Sequence, residues 1–288
     1  MSSEKYSRTQ RICQLLFKLE DNQINGDLLN IIDKRWKITP NQILDFIGKN
    51  LLEKQIHKLI PHINGKDWLI HLNTPIYNGS IDQKSLKYSE NTNNKLPQII
   101  GVTGRKYHGK DTVSNHICEH YKYTKIALAD PIKEICRILF EFNDDQLYGK
   151  SKEIIDNRWN ISPRTAFQYI GTELFRKQIY SLIPELGEKF WIKCLLEDIK
   201  YQLKNDLQVK FIISDIRFQN EVDTLLSEFK NTIFIRVKRP SINLKLDRTG
   251  LHESEIMIDN LKNINYEIIN DSSLESLYGK VENIMSEL

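Results

Sequence analysis

Residues Gly104-Arg-Lys-Tyr-His-Gly109-Lys110-Asp111-Thr112 place two glycines, Lys110 and the Thr112 hydroxyl within nine positions. That combination suits a nucleotide polyphosphate. Glycines let the backbone curl so that successive N–H groups face phosphate oxygens. A helix starting here would add the positive end of its dipole. Lys110 can reach the β- and γ-phosphates, and a hydroxyl near the helix start can help to hold Mg²⁺. That hydroxyl usually follows the lysine directly; here Asp111 intervenes and Thr112 is the candidate. Gly104, His108, Gly109, Lys110, Asp111 and Thr112 are the candidate nucleotide-binding residues. Alone, the pattern points to phosphate binding and says nothing of what is done with the phosphate.

Further polar groups could act on it. In Leu128-Ala-Asp130-Pro131-Ile-Lys133, Asp130 would end a strand, as a substrate contact, as a helix N-cap before Pro131, or as both. Lys133 lies one turn further on. In Ser214-Asp215-Ile-Arg217-Phe-Gln-Asn-Glu221, Asp215 can hold Mg²⁺ through water or contact the substrate, and Arg217 can face phosphate. The alternative is a mutual ion pair that caps the next helix. Arg236-x-Lys238-Arg239-Pro240, followed by Arg248 and His252-Glu-Ser-Glu255, could form a cationic lid over a transferring phosphoryl group. A solvated charge run is the plainer alternative, so only Arg239 and Arg248 are singled out. Lys110, Asp215, Arg217 and Arg239 are the candidate catalytic residues, and Thr112 and Asp215 the candidate Mg²⁺ ligands. His116, Cys118 and His120 look metal-like, but residues two apart on a helix do not share a face.

The elements that must position these residues alternate. Short apolar runs at 98–103, 123–129, 208–214, 232–237 and 266–269 predict five strands, with helices between them. Near-continuous apolar strands joined by helices predict a parallel sheet covered on both faces, an α/β fold that binds ligands at the carboxyl ends of its strands. A long helical insert is expected at about 131–203 and a lid at about 239–256. A polar stretch at 72–96 reads as a linker between residues 1–71 and the rest.

Residues 1–71 are not unrelated to the rest. At a fixed offset of 123, residues 12–71 align without gaps to 135–194 and are identical at 25 of 60 positions. Ile31-Ile-Asp33-x-Arg35-Trp36-x-Ile38-x-Pro40 matches Ile154-Ile-Asp156-x-Arg158-Trp159-x-Ile161-x-Pro163, and Trp68 matches Trp191. The N-terminal segment is thus a second copy of the insert, without the phosphate loop. The copies differ where Arg164, Thr172, Glu173 and Arg176 stand opposite Asn41, Lys49, Asn50 and Glu53. A polar set kept in one copy only is expected if it serves a ligand there. Arg164, Thr172 and Glu173, with Asp130 and Lys133 after the second strand, are the candidate substrate-binding residues; Arg164 can hold phosphate bidentately or be a solvated arginine. Arg158, Trp159 and Trp191 recur and are expected to be structural.

Composition excludes several classes. A net charge of +3 over 288 residues suggests neither nucleic-acid coating nor membrane-surface binding. No run approaches a membrane span. Four scattered cysteines without a C-x-x-C pair fit a reducing, cytoplasmic setting.

Taken together, Thr103 to Thr112, Leu128 to Lys133, Arg164 with Ile170-Gly-Thr-Glu173, Phe190-Trp191, Asp215-x-Arg217-x-x-x-Glu221, Arg239-Pro240 and His252-x-Ser-Glu255 resemble the deoxynucleoside monophosphate kinases of bacteriophages and large DNA viruses. The likeness spans about 97–288 in the right order. Gly-Lys-x-Thr occurs in several nucleoside monophosphate kinases. The resemblance implies a P-loop kinase fold that moves the γ-phosphate of ATP to a deoxynucleoside monophosphate with Mg²⁺, in the cytoplasm. Phosphomevalonate kinases of animal type share the outline, but Ile-Gly-Thr-Glu and His-x-Ser-Glu favour the nucleotide enzyme. A nucleotide-binding scaffold is the non-catalytic alternative. The family's usual chain lacks the N-terminal copy, which is expected to pack against the insert; a monomer or a homodimer is compatible with that.

Overall fold

The computed structural model describes residues 5–77, 96–243 and 257–288. Arg248, His252 and Glu255 of the expected lid lie outside them. The described residues form two compact units: 5–77 with 129–194, which are mainly helical, and 96–128 with 195–243 and 257–288, which carry the main sheet. In chain order the elements are β1 (Lys5–Tyr6), α1 (Arg8–Phe17), α2 (Asp21–Ile24), α3 (Pro40–Asp45), α4 (Gly65–Asn73), β2 (Ile76–Tyr77), β3 (Ile99–Thr103), α5 (Lys110–Tyr121), β4 (Tyr123–Ile126), α6 (Asp130–Phe140), α7 (Asp144–Leu147), α8 (Pro163–Gln168), α9 (Phe190–Asn205), β5 (Lys210–Ile216), α10 (Gln219–Glu228), β6 (Thr232–Lys238), α11 (Pro240–Asn243), β7 (Tyr266–Ile269) and α12 (Leu274–Glu287). No helix among the described residues is long and apolar enough to cross a membrane.

The sheet unit holds five parallel strands in the order β4-β5-β3-β6-β7. β3 is central and all five of its residues are buried, which is why its sequence is almost wholly apolar. Val113 and Ile117 of α5 and Leu277 and Val281 of α12 pack with Val102 and Ile235 of the sheet in one core. The register between β3 and β5 breaks: Gly101 faces Ile213, but Thr103 faces Ile216. The extra residue on β5 is a bulge at Ser214-Asp215, a device that re-aims a side chain. The Thr103 hydroxyl secures it by donating to the Ile216 carbonyl at 2.7 Å.

In the helical unit the two copies fold alike in detail. Each first helix ends on a left-handed residue, Lys18 at φ 50° and Glu141 at φ 54°. Each has an isolated bridge, Asp33 to Ile38 and Asp156 to Ile161. Thr39 and Ser162 cap α3 and α8 through their hydroxyls, with proline directly after. Both helices then widen into π segments, Phe46–Glu53 and Tyr169–Arg176. The recurring residues are structural: Trp36 and Trp159 donate to the carbonyls of Phe17 and Phe140, at 3.0 and 2.8 Å. Arg35 and Arg158 pair with Asp33 and Asp156.

Candidate active site

In the sheet unit the phosphate loop leaves the central strand. Gly109 has φ 100°, a left-handed conformation that favours glycine, and a Cβ there would lie 2.6 Å from Nδ2 of Asn270. At Gly104 a Cβ would lie 2.6 Å from the Val237 carbonyl oxygen. The loop therefore runs hard against β6 and the residue after β7. Asn270 clamps it: its Nδ2–H donates to the His108 carbonyl at 3.0 Å, and its own N–H donates to Lys238 O at 2.7 Å. Gly109 is the N-cap of α5 and brings no side chain to cover the first-turn N–H groups. Those groups are suited to an anion.

His108 has a different part from the one its position suggests. It is buried, and its Nδ1 donates to the Val237 carbonyl at 3.3 Å. The side chain is a strut between the loop and β6. Asp111 is exposed and lies between two cations, Lys125 at 3.1 Å and Lys110 at 3.7 Å. Arg105 pairs with Asp259. Asn270 and Lys125 could not be singled out in the sequence, because Lys125 lies within β4 and Asn270 just beyond β7, and neither carries a motif.

At the end of β5, Asp215 turns sideways and its carboxylate accepts the Leu128 N–H at 2.8 Å. This ties the ends of β4 and β5 together and stops β4 at Ile126, short of the expected Ala129. Glu221 caps the next helix: buried, it accepts the N–H groups of Arg217 at 2.8 Å and Phe218 at 3.0 Å. Arg239 is exposed just beyond β6.

The helical unit carries the remaining candidates. Asp130 is the first residue of α6 and not its cap; Ala129 holds the cap position and offers no side-chain hydrogen bond. Asp130 accepts from Lys133 Nζ at 3.0 Å. Lys133 also lies 4.5 Å from the centre of the Tyr148 ring. Burial, then Glu134 and Asp130, push the Tyr148 phenol up, so it stays protonated and donates to Glu134 at 3.1 Å. Arg164 is the second residue of α8 and pairs with Glu153 at 3.2 Å. Thr172 and Glu173 lie in the second π segment, where exposed Glu173 pairs with Lys177 at 2.8 Å. Arg176 lies 4.0 Å from Glu188. α6 packs against both α8 and this segment. Asp130 and Lys133 are thus brought together, while Arg164 and Glu173 each hold a separate partner.

A family model described as deoxynucleotide monophosphate kinase matches residues 98–151 and 140–281. A protein of Acanthamoeba polyphaga mimivirus named as a deoxynucleotide monophosphate kinase is 31% identical over 193 residues, covering 64% of this chain and 93% of its own. The dephospho-CoA kinase of Fusobacterium nucleatum is 22% identical over 193 residues, 64% of this chain and 95% of its own. Among solved structures, the dephospho-CoA kinase from Campylobacter jejuni is 18% identical with a TM-score of 0.37, covering 66% of this chain and 96% of that one. The family match spans the phosphate loop, the insert and the end of the sheet, and on it the chain belongs to the deoxynucleotide monophosphate kinase family, whose members are phosphotransferases.

Proposed function

We propose that this kinase transfers the γ-phosphate of ATP to a deoxynucleoside monophosphate and releases the diphosphate and ADP. The observation that carries the reading is the pairing of two features. A phosphate loop follows the buried central strand, and the insert's Arg164, Thr172, Glu173 and Arg176 are replaced by other residues in the N-terminal copy, which shares its apolar and turn positions. ATP lies along Gly104 to Thr112, its phosphates on the first-turn N–H groups of α5 and on Lys110. The acceptor is held by Asp130, Lys133, Arg164, Thr172 and Glu173, with Arg164 exchanging Glu153 for phosphate oxygens. An acceptor phosphate oxygen attacks the γ-phosphorus, the bond to the β-phosphate oxygen breaks, and ADP leaves with the charge. Lys110, Arg217 and Arg239 offset charge on the equatorial and bridging oxygens, so positioning and electrostatics supply most of the rate. The Thr112 hydroxyl and the Asp215 carboxylate are hard oxygen donors that fit Mg²⁺, Asp215 through water, and the ion when bound would neutralise phosphate charge. Such a reaction belongs in the cytoplasm and needs neither nucleic acid nor membrane.

The test is ADP release with a panel of deoxynucleoside monophosphates, ribonucleoside monophosphates and phosphomevalonate. Turnover with at least one deoxynucleotide is expected. ATP binding without turnover of any of them would defeat the proposal in favour of a nucleotide-binding scaffold. Lys110→Ala should lower kcat by about a hundredfold or more, the order of loss for removing one preorganised donor to transition-state charge, with its circular dichroism unchanged.

A further inference from the structure

The helical unit has the contacts of a subunit interface inside one chain. α1 and α6 are equivalent helices and pack against each other. Both carry Ile-Cys-x-x-Leu-Phe, and Ile12, Cys13, Leu16 and Phe17 are as fully buried as Ile135, Cys136, Leu139 and Phe140. The contacts around them are exchanged reciprocally. Phe17 of the first copy meets Phe190 of the second at 5.8 Å, and Phe140 of the second meets Trp68 of the first at 6.4 Å. Lys193 of the second copy lies 5.9 Å from the Trp36 ring of the first, while His71 of the first lies 5.2 Å from the Trp159 ring of the second. In both pairs the closing helix of one copy covers the opening helix and tryptophan of the other. Element for element, with each copy's closing helix laid on the other's opening helix, this is the exchange made in a two-fold interface; the individual partners differ, since Phe190 and Lys193 stand opposite Asp67 and Ile70 in the repeat.

The first copy adds two groups that have no match in the second, where Pro131 and Cys194 stand instead. Arg8 is buried; its Nε–H donates to Ile138 O at 3.0 Å and its guanidinium pairs with Glu141 at 2.5 Å. His71 Nε2 donates to Leu139 O at 2.7 Å. Both act on the carboxyl end of the second copy's opening helix, whose last carbonyls otherwise lack intrahelical donors.

We propose that the N-terminal copy is a resident second subunit: it occupies a self-complementary face of the insert, clamped by Arg8 and His71, and keeps the chain monomeric with one phosphate loop to two helical copies. A face that fits its own near-copy in this reciprocal way also fits the same face of a second chain, so the partner it would take when uncovered is another insert. The inference rests on the repeat and its packing and is independent of which acceptor is phosphorylated.

Light scattering after size exclusion, with hydrogen exchange of the full chain, tests it. The native protein should keep the mass of one chain up to high concentration. Arg8→Glu, which faces Glu141, should speed exchange at 135–142 and double the mass as concentration rises; adding Glu141→Arg should restore the single-chain mass. If Arg8→Glu fails to fold, Arg8→Ala gives the same reading in milder form. A native dimer, a variant with fast exchange that stays monomeric, or a variant whose exchange does not change would each overturn the proposal.

Discussion

Asn270 shows how a residue without a motif can set the geometry of a loop that has one. Its amide holds the His108 carbonyl at 3.0 Å while its backbone extends the β6–β7 ladder to Lys238. The clamp lies opposite Gly109, where no Cβ would fit. Asn270→Ala removes one hydrogen bond, about 1 kcal/mol, and frees the loop to widen. The Kd for ATP should rise about five- to tenfold in titration calorimetry, with a smaller change in the KM for the acceptor. An unchanged Kd would mean that the loop holds its shape without the clamp. The glycines and Lys110 can be read from the sequence because their chemistry is local to nine residues. Asn270 cannot, since it meets the loop 162 positions earlier in the chain. His108 is the converse case: its position in the motif suggests a ligand contact, and only the fold reveals that the ring turns inward to Val237.

At the scale of elements, the strands are readable because burial on both faces leaves little room for polar residues. The repeat is readable because the two copies diverged mainly at exposed positions. The bulge at Ser214-Asp215 and the two π segments are not, since one extra residue in a strand or turn leaves the apolar pattern nearly intact. In the turn before α8, Arg158 holds the Asp156 carboxyl down to about 2, far below the ordinary carboxylate value, with a further hydrogen bond from Gln146. Asp33 in the first copy is also lowered: burial acts to raise it, but hydrogen bonds from Arg35 and Gln23 outweigh that. A carboxylate with a depressed folded value contributes stability above its unfolded value of 3.8 and loses it as the pH falls through the folded one. Stability from this turn should be level above about pH 4 and decline toward pH 2. Asp156→Asn should cost roughly 1 to 2 kcal/mol at pH 7 and lack that part of the acid decline. Urea titrations at pH 7 and below pH 4 check both. Parallel pH profiles for the two proteins would show that the pair is not formed in the native state.

All four tryptophans, Trp36, Trp68, Trp159 and Trp191, belong to the helical unit. Each indole N–H donates to a main-chain carbonyl, including Trp68 to Leu52 at 2.7 Å and Trp191 to Gly171 at 2.8 Å inside the π segments. Tryptophan fluorescence therefore follows the packing of that unit alone, while far-ultraviolet circular dichroism follows both. Each unit has its own core, and compact units with separate cores need not unfold together. The phosphate loop belongs to the sheet unit, so a nucleotide held there stabilises that unit by mass action, about 2.7 kcal/mol at a hundredfold excess over Kd. In urea, the fluorescence and dichroism transitions should not coincide. ATP with Mg²⁺ should move the dichroism transition to higher denaturant and leave the fluorescence midpoint nearly in place. Lys110→Ala should abolish the shift without altering either transition in the absence of nucleotide. Coincident transitions that ATP moves together would show instead that the two units form one cooperative body, with nucleotide binding felt by the tryptophans of the helical copies.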